Sequence, residues 1–205
     1  MPAIFNDEKR KQVRIKLLEN GFEHIKHFGL KRTSIEDVAK DSGIAKGTFY
    51  NFFPSKEEFV ASIISYKREA YKQEIKVLVS ESGGNTKECI RKILKRMAFG
   101  DDNLYAYLKD EDLAVLATRA PKSIIPMEED VAITTSVLLN LIPDKRPDYD
   151  WQVIANYVKI MVLAVINRKM LLEGAVEKSI DGIISLIIDC IFDSNENKIK
   201  RESEN

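Results

Sequence analysis

"SIEDVAKDSGIAKGTFYNFF", residues 34–53, decides the fold. Ile35, Val38 and Ala39 fall at the spacing that gathers side chains on one face of a short helix, and Ile44, Phe49 and Phe52 do the same after Gly43. Two short amphipathic helices on either side of a glycine form a helix-turn-helix. The residue types suit it. Ala39 is small where the two helices cross, and Gly43 is free to take the positive φ that a tight turn requires. With Phe49 and Phe52 turned inward, helical spacing leaves Lys46, Thr48, Tyr50 and Asn51 on the other faces as hydrogen-bonding side chains.

Outward from this stretch, helical periodicity continues almost everywhere and strand alternation is nearly absent. Ser34-Ile-Glu-Asp37 and Ser55-Lys-Glu-Glu58 have capping-box spacing, and Asp150 stands before Trp151 as a third N-cap. Punctuation by Gly29, Gly43, Pro54, Gly83-Gly84, Gly100, Pro121, Pro126, Pro143, Pro147 and Gly174 predicts an all-α chain. About nine helices are expected, over 7–28, 34–41, 45–51, 55–81, 86–99, 103–119, 127–142, 150–173 and 176–193. The expected domains are a three-helix helix-turn-helix unit at 1–54, a larger helical unit at 55–193 and a disordered tail at 194–205.

Charge is unevenly placed. The 205 residues contain 32 Lys and Arg against 32 Asp and Glu, so a protein basic over its whole surface is excluded. Residues 9–56 nevertheless contain eleven basic and five acidic residues, a local net charge of +6. Such a patch attracts phosphate without regard to sequence, while outward polar groups on the second helix of a helix-turn-helix reach base edges.

"TSIEDVAKDSGIAKGTFYNFFPSKEEF" resembles the N-terminal DNA-binding signature of the TetR family of transcriptional regulators, with similarity over about residues 10–60. In that family a Thr/Ser pair opens the second helix, Lys-Gly-Thr begins the recognition helix and Ser-Lys-Glu-Glu starts the fourth. Asn51 and Phe52 stand where the family often has His-Tyr. The resemblance implies that Thr33 contacts a phosphate, that Lys46, Gly47 and Thr48 approach DNA, and that Tyr50 and Asn51 complete the contact surface. It also implies that Lys56, in the first turn of the fourth helix, meets a backbone phosphate.

The remaining chain is read from its apolar residues. Helix 150–173 is apolar nearly all round and helix 176–193 on more than one face, so each needs cover on several sides. Ile154, Val158, Val162, Ile166, Ile180, Ile184, Ile187 and Ile191 are the expected dimer interface; the alternative is a monomer that buries both helices within itself. The resemblance implies a homodimer joined by a four-helix bundle, a palindromic double-stranded DNA operator and an unknown small-molecule effector held in the larger domain. Met97, Tyr105, Tyr157 and Met161 are candidate ligand-lining residues, because Met and Tyr often line adaptable pockets; they could equally be plain core.

Other classes find little support. His24 and His27 sit three apart beside Glu23, but Cys89 and Cys190 fit no ligand spacing, so no metal site or disulfide framework is expected. No phosphate loop, HExxH or nucleophile elbow appears, so neither enzymatic activity nor a cofactor is expected. The first twenty residues do not read as a signal peptide. The most apolar run, Ile160–Ile166, is far short of the roughly 20 residues that span a bilayer. A cytoplasmic, dimeric, ligand-responsive repressor is the leading expectation; a module of the same fold that acts through a protein partner, without operator recognition, is the alternative.

Overall fold

The computed structural model describes residues 7–101, 107–119 and 127–192. They form an all-α protein, with nine α-helices and no strand among the described residues: α1 Asp7–Arg32, α2 Ile35–Asp41, α3 Lys46–Phe49, α4 Lys56–Ser80, α5 Thr86–Phe99, α6 Asp110–Arg119, α7 Met127–Leu141, α8 Trp151–Ile166 and α9 Val176–Phe192. No helix among these residues is long and apolar enough to cross a membrane.

Local chemistry explains several boundaries. Ser34 Oγ accepts from the Asp37 N–H and Ser55 Oγ from the Glu58 N–H, so both capping serines start their helices. Asp150 accepts from the backbone N–H groups of Gln152 and Val153 and opens α8. Inside α1, Gly29 adopts φ 75°, ψ 161°, which breaks the helix before a last turn over Leu30–Arg32. α8 stops at Ile166, seven residues before the expected end. The Asn167 side chain donates to the Leu163 carbonyl, 3.0 Å away, and satisfies the last turn. Two short 3-10 turns, Arg168–Met170 and Glu173–Ala175, then lead to α9.

The chain forms two compact units, residues 1–69 with 103–125 and residues 70–102 with 126–205. The division falls within α4 rather than at Pro54, because the first half of α4 and the segment around α6 share one core with α1, α2 and α3. In that core Phe22, Phe49, Phe53 and Phe59 are almost wholly buried, and Leu108 and Leu116 join them. Phe59 meets Phe49 edge-on at 5.0 Å and Phe53 at 4.8 Å between ring centroids. Burying each ring contributes about 1.5–3 kcal/mol.

The second core gathers Ile90, Ile93 and Leu94 of α5, Leu138 and Leu139 of α7, Ile154, Val158 and Met161 of α8, and Ile180, Ile184 and Ile187 of α9. α5 and α9 run antiparallel. Arg91 donates to Ser185 at 3.3 Å, and one turn along Lys95 lies 3.1 Å from Asp181. The Tyr71 phenol, on the second half of α4, donates to the Ile93 carbonyl at 3.0 Å, and burial pushes its pKa up, so it stays a neutral donor.

Candidate nucleic-acid interface

The reading head is built around the end of α2. Gly43 has φ 78°, its N–H donates to Lys40 O at 2.9 Å, and the Ile44 N–H donates to Ala39 O at 3.0 Å. This pair of bonds is a Schellman termination, and it turns the chain straight into α3. Val38 and Ala39 are fully buried, as expected of the crossing. Ser42, which the sequence reading passed over, is also buried; its hydroxyl donates to Val38 O at 2.7 Å and accepts from the Asn20 amide of α1 at 3.0 Å.

α3 is shorter than predicted, one turn over Lys46–Phe49. The Phe52 N–H bonds back to Phe49 O in a tighter i+3 turn. As a result Phe53 joins Phe49 deep in the core, while Phe52, expected there, is only partly buried. Arg10 covers Phe52, with its guanidinium carbon 5.2 Å from the ring centroid, and Arg14 covers Phe53 at 4.6 Å. Arg10 also donates to the Asn51 carbonyl at 3.2 Å, so the first turns of α1 hold the end of the recognition segment. The signal for this was present in the sequence: two arginines one turn apart on α1, facing two adjacent phenylalanines.

The expected contact residues are held differently from one another. Lys46 is exposed, 3.3 Å from Glu36. Gly47 is open, with nothing within 4 Å of where a Cβ would stand. Thr48 is partly exposed, Tyr50 and Asn51 are exposed, and the Tyr50 ring packs edge-on against Phe49 at 5.4 Å. These five residues occupy one short segment over a buried aromatic base. Thr33 is buried: its hydroxyl donates to Gly29 O at 2.9 Å. The Lys56 ammonium donates to Leu30 O at 2.7 Å and to Thr33 O at 2.6 Å, and burial pulls its pKa down. His24 is partly buried and ties α1 to α2, with Nε2 2.7 Å from Asp41 Oδ2 at the end of α2; His27 lies 3.8 Å from Glu23. Among the described residues no cluster of His, Cys, Asp and Glu could hold a metal.

In the second unit, Met161 is fully buried, and Met97 and Tyr157 pack partly buried against the same core; Tyr105 lies outside the described residues. The expected interface residues Ile154, Val158, Val162, Ile180, Ile184, Ile187 and Ile191 are buried within the chain itself, and Ile166 is partly buried. In the single chain these side chains are covered by their own subunit. The apolar residues that α8 and α9 leave exposed are Trp151, Val153, Ile160, Leu163 and Leu186.

This geometry is that of a helix-turn-helix. The family profile described as "Bacterial regulatory proteins, tetR family" matches residues 17–63. These residues are the body of the head, and over them the chain is similar to the TetR family of transcriptional regulators. It is 36% identical over 50 residues to the uncharacterized HTH-type transcriptional regulator YuxN of Bacillus subtilis, covering 24% of this chain and 17% of that protein. It is 42% identical over 48 residues to YvdT of the same organism, described in the same terms, covering 23% of this chain and 25% of that protein. The chain thus matches a quarter or less of each relative's length. A crystal structure from a Rhodococcus species, assigned to the TetR-family regulators, superposes with a TM-score of 0.63 at 14% identity, covering 87% of this chain and 99% of that one. This last likeness is one of fold.

Proposed function

We propose that the protein is a dimeric repressor that reads a palindromic operator and leaves it when a small molecule binds the second unit. One observation carries the reading: Lys46, Gly47, Thr48, Tyr50 and Asn51 stand together on the open side of a segment whose other side is anchored by the fully buried Phe49. An arrangement that fixes the backbone and exposes donors and acceptors suits base readout. The Lys46–Glu36 pair does not oppose it, because both partners are more than half exposed and such a pair contributes little. A phosphate can replace the carboxylate.

Dimerisation follows from the exposed faces of α8 and α9. Val153, Ile160 and Leu163 fall on one stripe of α8; Ser179, Gly182 and Leu186 fall on one stripe of α9, where the small residues allow a second helix to approach closely. A two-fold pairing would present two heads to two half-sites. For the effector, the apolar cluster holding Met97, Tyr157 and Met161 suits an apolar or amphipathic molecule. Binding would release the operator only through tighter affinity for the released conformation.

Selection from randomised duplex DNA, followed by gel-shift titration at rising salt, tests the reading. The expected result is an enriched inverted repeat whose affinity falls steeply with salt. Binding without sequence preference, or none, would favour the alternative of a module that works through a protein partner.

A further inference from the structure

The basic residues of the head include one whose charge faces inward. Lys56 opens α4, and its ammonium reaches back across 26 residues of chain to the Leu30 carbonyl and across 23 to the Thr33 carbonyl, at 2.7 and 2.6 Å. Leu30 lies in the last turn of α1 and Thr33 directly follows that helix, whose last carbonyls lack the full set of intrahelical partners. A cation at a helix C-terminus is favourable for the same reason, since the carbonyl ends of the peptide dipoles converge there. The segment between Leu30 and Lys56 contains all of α2, the Gly43 turn and all of α3. The bonds therefore close a ring around the helix-turn-helix, with one seam at Lys56.

Thr33 sits at that seam. Its N–H bonds to Gly29 O and Leu30 O, its hydroxyl to Gly29 O, and its carbonyl accepts from Lys56. Ser34, the next residue, caps α2. Fixing Thr33 fixes where α2 enters, and the α2–α3 turn passes that placement on to the recognition segment. Two of the three ammonium N–H groups are engaged in this closure. Burial lowers the Lys56 pKa, in keeping with an ammonium withdrawn from water.

We infer that Lys56 is a positioning residue, which closes the helix-turn-helix ring onto the end of α1 and sets the angle of the reading segment, rather than a phosphate contact. This rests on the operator reading for its DNA measurements but not for its second measurement. The two roles differ in what salt reveals. Removing a phosphate contact lowers the slope of log affinity against log salt by about one per head. Removing a clamp leaves the slope alone and lowers affinity for the selected operator more than for random duplex.

The test uses the full chain with Lys56→Met, which keeps the length of the side chain and deletes the donors, and Lys56→Arg, which keeps the charge and changes the fit between the two carbonyls. Both are expected to lose at least tenfold in operator affinity with random-duplex affinity and salt slope unchanged. A slope lower by about one per head in Lys56→Met, a parallel fall on both duplexes, or wild-type operator affinity in Lys56→Arg would overturn the inference. Hydrogen exchange on the DNA-free proteins decides it without an operator. In either variant, amides of residues 46–53 should exchange faster while those of residues 17–25 stay protected; unchanged exchange at 46–53 would overturn the clamp even if no operator is found. Failure to select an operator from wild-type protein, with the exchange result as expected, would instead reject the proposed function alone.

Discussion

Two glycines in the head show how differently the same residue can be required. A Cβ on Gly21 would stand 2.2 Å from Phe59 Cζ and 2.9 Å from Ile63 Cδ1, inside the aromatic core. Gly21→Ala should therefore destabilise the protein by about 1–3 kcal/mol, the usual range for overpacking, and lower the melting temperature in a thermal scan. Gly47 has open space around it and lies within α3, where alanine is favoured by about 1 kcal/mol. Gly47→Ala should melt no lower than the wild type and yet bind operator at least tenfold more weakly in a gel shift, because the methyl group would occupy the side that approaches DNA. A variant that retained full affinity would remove α3 from the contact surface. Glu36→Gln should act in the opposite direction and raise affinity, by freeing Lys46 of its carboxylate and taking a negative charge away from the phosphates. At this scale the sequence was informative where spacing set the outcome, as for Gly43 and Phe49. For Lys56 the resemblance offered a phosphate, and spacing gave no sign of its carbonyl partners 23 and 26 residues away.

Helix starts with a capping side chain were legible and helix ends less so, and the reason lies in the range of the interactions. Ser34, Ser55 and Asp150 cap groups two or three residues ahead, so their pattern is written locally. Replacing Asp150 by Ala should cost about 1 kcal/mol, read as a lower urea midpoint with an unchanged slope. The end of α8 was hidden because Met170, Leu171 and Leu172 prolong the apolar pattern past Asn167, although all three are exposed. α3 was overestimated because Phe52 and Phe53 suit either a helix or a tight turn, and only the buried place of Phe53 separates the two. Acid should reveal the start of α4. The Glu57 carboxyl lies below its usual pKa, held there by its backbone hydrogen bond at the helix start and then by Arg119, 2.9 Å away. A carboxyl whose folded pKa is depressed contributes stability that is fully present above the unfolded value and is lost as the pH falls through the folded one. Glu57→Gln should therefore flatten the loss of stability below about pH 4.5, seen in melting temperatures collected across pH. An acid limb identical to wild type would show that Arg119 and the helix start do not favour the ionised form.

For the molecule as a whole, neutrality hides a division of labour. The +6 of residues 9–56 is balanced by acidic residues elsewhere, so attraction to phosphate is confined to the unit that carries the helix-turn-helix. The second unit buries one side of its most apolar helices in its own core, a choice of residues that apolar content alone does not make. A helix that is apolar all round declares that it must be covered, but not by which neighbour. Burial divides the residues: Ile184 is fully enclosed, whereas Leu163 and Leu186 remain open. Substituting glutamate at each kind of site separates folding from assembly. Ile184→Glu would place an unpaired carboxylate in a closed core and should abolish the cooperative thermal transition. Leu163→Glu places the same charge at the surface of the free chain, so helicity and melting of the monomer should persist. In sedimentation velocity it should run at half the wild-type mass. The same variant should lose far more affinity for a full inverted repeat than for a single half-site, because the second head no longer arrives at the high effective concentration that its partner provides. A Leu163→Glu protein that stayed dimeric would move the interface away from the exposed stripe of α8.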